Sequence, residues 1–183
     1  MPKLLDLGAN IGAFTLYASR CRAARFVYGF EPVASTFALL QQNVEANRLH
    51  NVHLFRKGIG GRPGQRSMHL GITSQHASLI YRGDQEYESG ETEEVEIVTL
   101  EQLFSEANID EVGMAKMDCE GGEVEAILAA SDDTLRRIKH LSLEYHYPGN
   151  ISTDAEFFGR MVRAGFRCIR RSNVERLAQF VRE

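Results

Sequence analysis

Cysteine is scarce: Cys21, Cys119 and Cys168 are odd in number, far apart and without any CxxC spacing. They assemble neither a disulfide framework nor a cysteine zinc site, and a reducing, cytoplasmic setting fits them best. Long apolar runs are also missing. None approaches the roughly 18 residues a spanning helix needs, and no charged-then-apolar leader opens the chain. There is no surplus of positive charge either. Twenty-one basic against 25 acidic residues leave a net charge of −4, with no general attraction to phosphate backbones or anionic lipid. Neither nucleic acid nor a membrane span is therefore expected. Hydrophobic residues at 43% and charged residues at 25% exclude disorder and fibrous repeats. A chain of 183 residues fits one α/β domain, with one core and one site. Nothing in the composition specifies an oligomeric state.

What is present is a regular alternation of strand and helix patterns. Lys3 to Leu7 reads as a strand, followed by a glycine turn and by Phe14, Tyr17, Ala18 and Cys21 at helical spacing. Phe26 to Phe30 repeats the strand signal, Pro32 opens a helix with Val33, Phe37, Leu40 and Val44 on its apolar face, and Val52 to Phe55 is a third strand. From Gly60 to Val98 the regularity lapses into short hairpin-like pieces at Ser67–Leu70, Ala77–Tyr81 and Val95–Val98. Within it the acidic stretch Asp84 to Glu96 reads as a solvated loop. Thr99 with Gln102 makes a capping box. Strand Met114–Asp118, a helix presenting Val124, Ile127 and Leu128 after Gly121-Gly122, and strand His140–Tyr145 follow. Thr153 and Glu156 are placed to cap a helix that Gly165 ends. Phe166–Ile169 and Leu177–Val181 are too close for a helical crossover, so this pair is expected to be antiparallel. The order predicts a Rossmann-like α/β sandwich with a mostly parallel sheet, a closing antiparallel hairpin and helices on both faces.

Asp6-Leu7-Gly8-Ala9-Asn10-Ile11-Gly12 sits between a strand and a helix, where glycines let the backbone turn with positive φ and come close to a ligand. About 20 residues on, Glu31 closes the second strand, where a carboxylate can accept hydrogen bonds from both ribose hydroxyls. A dinucleotide fold wants glycine at the middle of the turn so that backbone meets pyrophosphate, and this chain has Asn10. That opposes a nicotinamide cofactor and favours S-adenosylmethionine, which carries no phosphate and whose amino-acid moiety needs polar partners such as Asp6. The structural alternatives are an ordinary strand-to-helix turn and a carboxylate placed at a helix N-terminus. A second constellation is Lys116, Asp118 and Glu120, which alternate to one side at the carboxyl edge of a strand, where open α/β sheets place their ligands. The bland reading is a lysine–carboxylate pair with Glu123 capping a helix. On the next strand Glu144 and His146 also alternate to one side.

These segments, Asp-x-Gly-Ala-Asn-x-Gly at 6–12, Phe30-Glu31-Pro32, Asn51-Val52, Ala77-Ser78-Leu79, Val98-Thr99-Leu100, Lys116-x-Asp-x-Glu-Gly-x-Glu and Glu144, resemble the pattern of the FkbM-type methyltransferases over most of the chain. The resemblance implies a class I methyltransferase fold and S-adenosylmethionine as cofactor, contacted by Asp6, Gly8, Asn10, Gly12 and Glu31. It further implies methylation of a hydroxyl on a sugar or natural product, with Lys116, Asp118 and Glu120 at the site. Asp118 is the first candidate for base or positioner, His146 the second, and Lys116 would hold Asp118 ionised. Relatives carry a segment before the first strand that this chain is expected to lack, which leaves a catalytically silent nucleoside-binding module as the competing reading. No obligatory metal is expected, although Asp118, Glu120 and Glu144 are able to gather one.

Overall fold

The computed structural model describes residues 2–21, 24–71, 88–146 and 151–182. Its main sheet has seven strands in the order β3-β2-β1-β7-β8-β10-β9. β1 (Lys3–Leu7) lies between β2 (Phe26–Phe30) and β7 (Val112–Met117), parallel to both. β3 (Val52–Phe55) extends one side, and β8 (Ile138–Glu144) pairs in parallel with β7 on the other. The sheet's connection therefore reverses direction between β1 and β7, which opens a crevice at the carboxyl ends of these strands. β10 (Leu177–Val181) runs antiparallel to both β8 and β9 (Arg167–Ser172), the hairpin that the short Ser172-Asn173 connection requires.

The central strands are apolar enough to be covered on both faces. Leu5 and Leu7 of β1 and Val27 of β2 have no exposed surface, and Phe30, Met117, Ile127, Leu141, Phe157 and Phe180 join the buried set. α1 (Ala13–Arg20) and α2 (Ala34–Ala46) follow the first two strands. Leu40 and Val44 are buried as predicted, while Tyr17, expected on the apolar face of α1, is 69% exposed. α2 begins two residues beyond Pro32, with Val33 at its cap. α3 (Leu100–Glu106) carries the predicted capping box, Thr99 and Gln102 each bonding the other's backbone N–H.

Three further differences have local causes. The acidic stretch is a strand from residue 88 onward, not a loop: β6 (Glu88–Val98) pairs antiparallel with β5 (Gly64–Gly71) and parallel with the short β4 (Gly58–Ile59), forming a separate three-stranded sheet. Val95 and Ile97 alternate inward there, while Glu93 accepts the Ala34 N–H at 3.0 Å and Glu96 pairs with Lys57 at 2.9 Å. A short α5 (Asp132–Arg136), capped by Ser131, follows α4 (Glu123–Ala129). α6 (Ile151–Arg163) is already helical at Thr153, so the predicted cap lies in its first turn. The strand expected at Ala77–Tyr81 lies outside the described residues.

Candidate active site

A cleft of about 610 Å³ opens where the sheet reverses, lined by Gly8, Asn10, Glu31, Lys116, Asp118, Glu120, Glu144 and His146 among others. The end of β1 builds its floor. Gly8 has φ 77°, and a Cβ there would lie 1.8 Å from the Asp118 carbonyl oxygen. Glycine is thus demanded by the neighbouring strand, where the sequence suggested a ligand. The Gly8 and Ala9 N–H groups both donate to the Phe30 carbonyl at 3.0 and 2.9 Å, folding the turn over the end of β2. Asn10 then adopts φ 50°, a left-handed conformation in which asparagine is better tolerated than most residues. This aims its N–H at Glu31 Oε2, 3.0 Å away, while Glu31 Oε1 accepts the Val33 N–H at 3.1 Å. Each carboxylate oxygen keeps a further acceptor position. Glu31 is 7% exposed, and burial pushes its carboxyl up to about 7 against the opposing effect of the two backbone donors.

Two predicted cofactor residues do not line the cleft. Gly12, at φ 95°, is the N-cap of α1. Asp6 is fully buried: its Oδ2 accepts the Thr15 hydroxyl at 2.5 Å, and its Oδ1, 3.5 Å from Lys116 Nζ, has no hydrogen-bond partner. Burial raises the Asp6 pKa, opposed by Lys116 and Thr15. Lys116 donates to the Gly8 carbonyl at 2.9 Å and stands 3.5 Å from Asp118 Oδ2, so it ties the β1 turn to the end of β7. Burial disfavours its charge, but Asp6 and Asp118 outweigh that and raise its pKa.

The carboxyl ends of β7 and β8 and the turns just past them bring Asp118, Glu120, Glu144 and His146 to one side of the cleft; β7 ends at Met117, one residue short of the expected strand, so Asp118 and Glu120 lie beyond it. One ligand atom from each of Asp118, Glu120 and His146 lies within 4.8 Å of the other two. The residue that arranges them is Glu123. Fully buried in the first turn of α4, it accepts the Cys119 N–H at 2.6 Å and the Gly121 N–H at 3.1 Å, and its Oε1 is 3.0 Å from His146 Nδ1. Glu123 is a helix-start residue, as the bland reading had it, and also fixes the imidazole. An acceptor-only carboxylate puts the proton on Nδ1, which leaves Nε2 facing Glu144 Oε1 at 3.4 Å and Glu120 Oε2 at 3.6 Å. Burial lowers the His146 pKa, but Glu123, Glu120 and Asp118 outweigh burial and raise it.

The Methyltransferase FkbM domain model matches residues 6–168. The chain belongs to the FkbM methyltransferase family. Among curated relatives of this FkbM-family chain, Methyltransferase 1 of Beauveria bassiana is 26% identical over 157 residues, covering 77% of the chain and 63% of that protein. The 31-O-demethyl-FK506 methyltransferase FkbM of Streptomyces tacrolimicus is 24% identical over 171 residues, covering 78% and 65%. The chain thus spans a little under two thirds of the length of either relative. Solved structures share its fold. An rRNA methylase from Streptococcus thermophilus superposes with TM-score 0.59 at 12% identity over 99% of the chain and 86% of that protein. The magnesium protoporphyrin IX methyltransferase of Synechocystis PCC 6803, solved with bound SAM, gives 0.57 at 13% identity over 100% and 70%. The FkbM-family chain therefore has the class I methyltransferase fold, and among its described residues no helix is long and apolar enough to cross a membrane.

Proposed function

We propose that the chain binds S-adenosylmethionine in this cleft and methylates a hydroxyl on a sugar or natural-product small molecule. The observation that carries the reading is the Glu31 carboxylate at the crevice, each oxygen occupied by one backbone N–H and each able to accept one ribose hydroxyl. Asn10 stands where a pyrophosphate-binding turn would have glycine, which speaks against a dinucleotide. Gly8 and Asn10 would flank the nucleoside, with Asp6 Oδ1, ion-paired to Lys116 at 3.5 Å, behind the floor. The name of the Streptomyces relative, a 31-O-demethyl-FK506 methyltransferase, supports transfer to an oxygen.

When bound, the cofactor supplies an electrophilic methyl carbon on a sulfonium. The chain's part is to hold an acceptor oxygen in line with it, within about 3–3.5 Å, and to take the hydroxyl proton. Asp118, 3.5 Å from Lys116 and facing the cleft, is the first candidate for the base, and His146 is the second. The test is ligand-induced stabilisation followed by transfer. At 100 times its dissociation constant, S-adenosylhomocysteine should stabilise the fold by about 2.7 kcal/mol and raise Tm by roughly 5–10 °C. NAD at the same concentration should not. Labelled methyl groups should then appear on one class of hydroxylated small molecule or glycan. The opposite ligand ranking would overturn the proposal, and cofactor binding without any transfer would favour the silent-module reading.

A further inference from the structure

We propose that Asp118, Glu120 and His146, with Glu144 beside them, form a site for one divalent first-row metal ion. The first ground is geometric. A cation with donors at about 2.2 Å holds opposite ligands about 4.4 Å apart, and the donor atoms of the three residues already lie within 4.8 Å of one another. The ligands follow directly on two adjacent, hydrogen-bonded strands.

The second ground lies outside the ligand set. His146 is 8% exposed, and its ring is fixed by Glu123, itself fully buried and held by two backbone N–H groups. A carboxylate on the far nitrogen is how proteins hold a metal-binding imidazole, because it sets the tautomer and raises the basicity of the nitrogen that binds. Here it turns Nε2 toward Glu120 and Glu144, at 3.6 and 3.4 Å, without a hydrogen bond to either. A neutral imidazole there would direct a lone pair at two carboxylates. Lys116 stands 3.5 Å from both Asp118 and Asp6, so its charge is divided between these two carboxylates. A cation among these groups converts the repulsion into ligation. A proton at Nε2 would do so too, and the experiment separates the two.

Carboxylates with one imidazole suit Mn²⁺ and its neighbours better than the soft metals that thiolates select. Three or four protein ligands facing a cleft leave positions for an acceptor oxygen, whose hydroxyl proton such an ion would make easier to remove. This use of the site rests on the methyltransferase reading, whereas the binding of the ion does not. The proposal departs from the expectation of no obligatory metal.

The full chain, stripped with a chelator and dialysed, is titrated with Mn²⁺ by calorimetry and followed by pulsed electron paramagnetic resonance, without cofactor or acceptor. One saturable site per chain is expected, with an imidazole nitrogen coupled to the bound ion. His146→Gln should abolish that coupling. Glu123→Gln should weaken binding by about 10- to 100-fold, and Asp118→Asn by at least about tenfold. Thermal melts of each variant establish that it folds. No saturable binding, or bound Mn²⁺ without nitrogen coupling in the unaltered chain, would overturn the proposal and leave the imidazolium as the answer to the charge. The S-adenosylhomocysteine melt is independent of this titration, so failure of one leaves the other standing.

Discussion

Replacing Glu31 by glutamine separates a ligand-gripping carboxylate from a structural one, because the two roles leave different marks on pH dependence. Burial raises the Glu31 pKa from 4.5 in the unfolded chain to about 7 in the native state. Between those values the unfolded chain has released a proton that the native chain still holds, so rising pH favours unfolding. The stabilisation is full below pH 4.5 and is lost as pH rises through about 7. Integrated from pH 5 to pH 8, this one group removes about 2.5 kcal/mol of stability, or roughly 5–10 °C in Tm for a domain of this size. Glutamine does not titrate. It also offers one acceptor where the carboxylate offers two to the Asn10 and Val33 N–H groups, a pH-independent cost of about 1–3 kcal/mol. Glu31→Gln should therefore be less stable than the parent at pH 5 and should close that gap, or reverse it, by pH 8. Binding runs the other way. Ribose hydroxyls donate to the ionised carboxylate, so the affinity of the parent for S-adenosylhomocysteine should rise as pH is raised from 6 to 8. The variant should bind about 10- to 150-fold more weakly at pH 8, with no such rise. Denaturant melts and calorimetry across this range measure both. A stability difference that does not vary with pH would refute the buried-carboxyl argument, and unchanged affinity would remove Glu31 from the site.

Asp118→Asn should leave S-adenosylhomocysteine binding largely intact while turnover with the true acceptor falls by about 10²-fold or more; an unchanged rate would remove Asp118 from proton transfer. Gly8→Ala should destabilise the fold by roughly 2–5 kcal/mol, because it combines a left-handed backbone with a Cβ directed at the Asp118 carbonyl oxygen. A Tm drop smaller than about 4 °C would show that the β1 turn and the end of β7 are not pressed together as described.

The parts of this fold legible in the sequence are those whose cause is local. Strand β1, its glycine turn and α1 follow from adjacent residues, as does the capping box at Thr99 and Gln102, and a connection of a few residues left the closing pair no choice but to run antiparallel. The acidic strand was hidden for the complementary reason. Its period of two survives at Val95 and Ile97, but the glutamates around them dominate the composition, and their neutralisers, Lys57 and the Ala34 N–H, come from other parts of the chain. α5, of five residues, is too short to display a helical period.

The site divides along the same line. Alternation in the sequence pointed Asp118, Glu120, Glu144 and His146 to one sheet edge, but β7 ends at Met117 and β8 at Glu144, so the turns just past the strands, with Glu120 at φ 52°, are what gather Asp118, Glu120 and His146 there. What each residue does there depends on neighbours distant in sequence. Gly8 is glycine because of the Asp118 carbonyl just past β7, Asp6 is enclosed by Thr15 and Lys116, and Glu123 reaches across 23 residues to orient His146. Read alone, Glu123 is a favourable charge at a helix start. Only with β7 and β8 adjacent does it also fix a tautomer, and that tautomer decides whether the imidazole between the carboxylates offers them a proton or a lone pair. Whether the same four side chains make an ion pair or hold a cation then turns on what occupies Nε2, a proton or an ion, which a pattern of residue types does not contain.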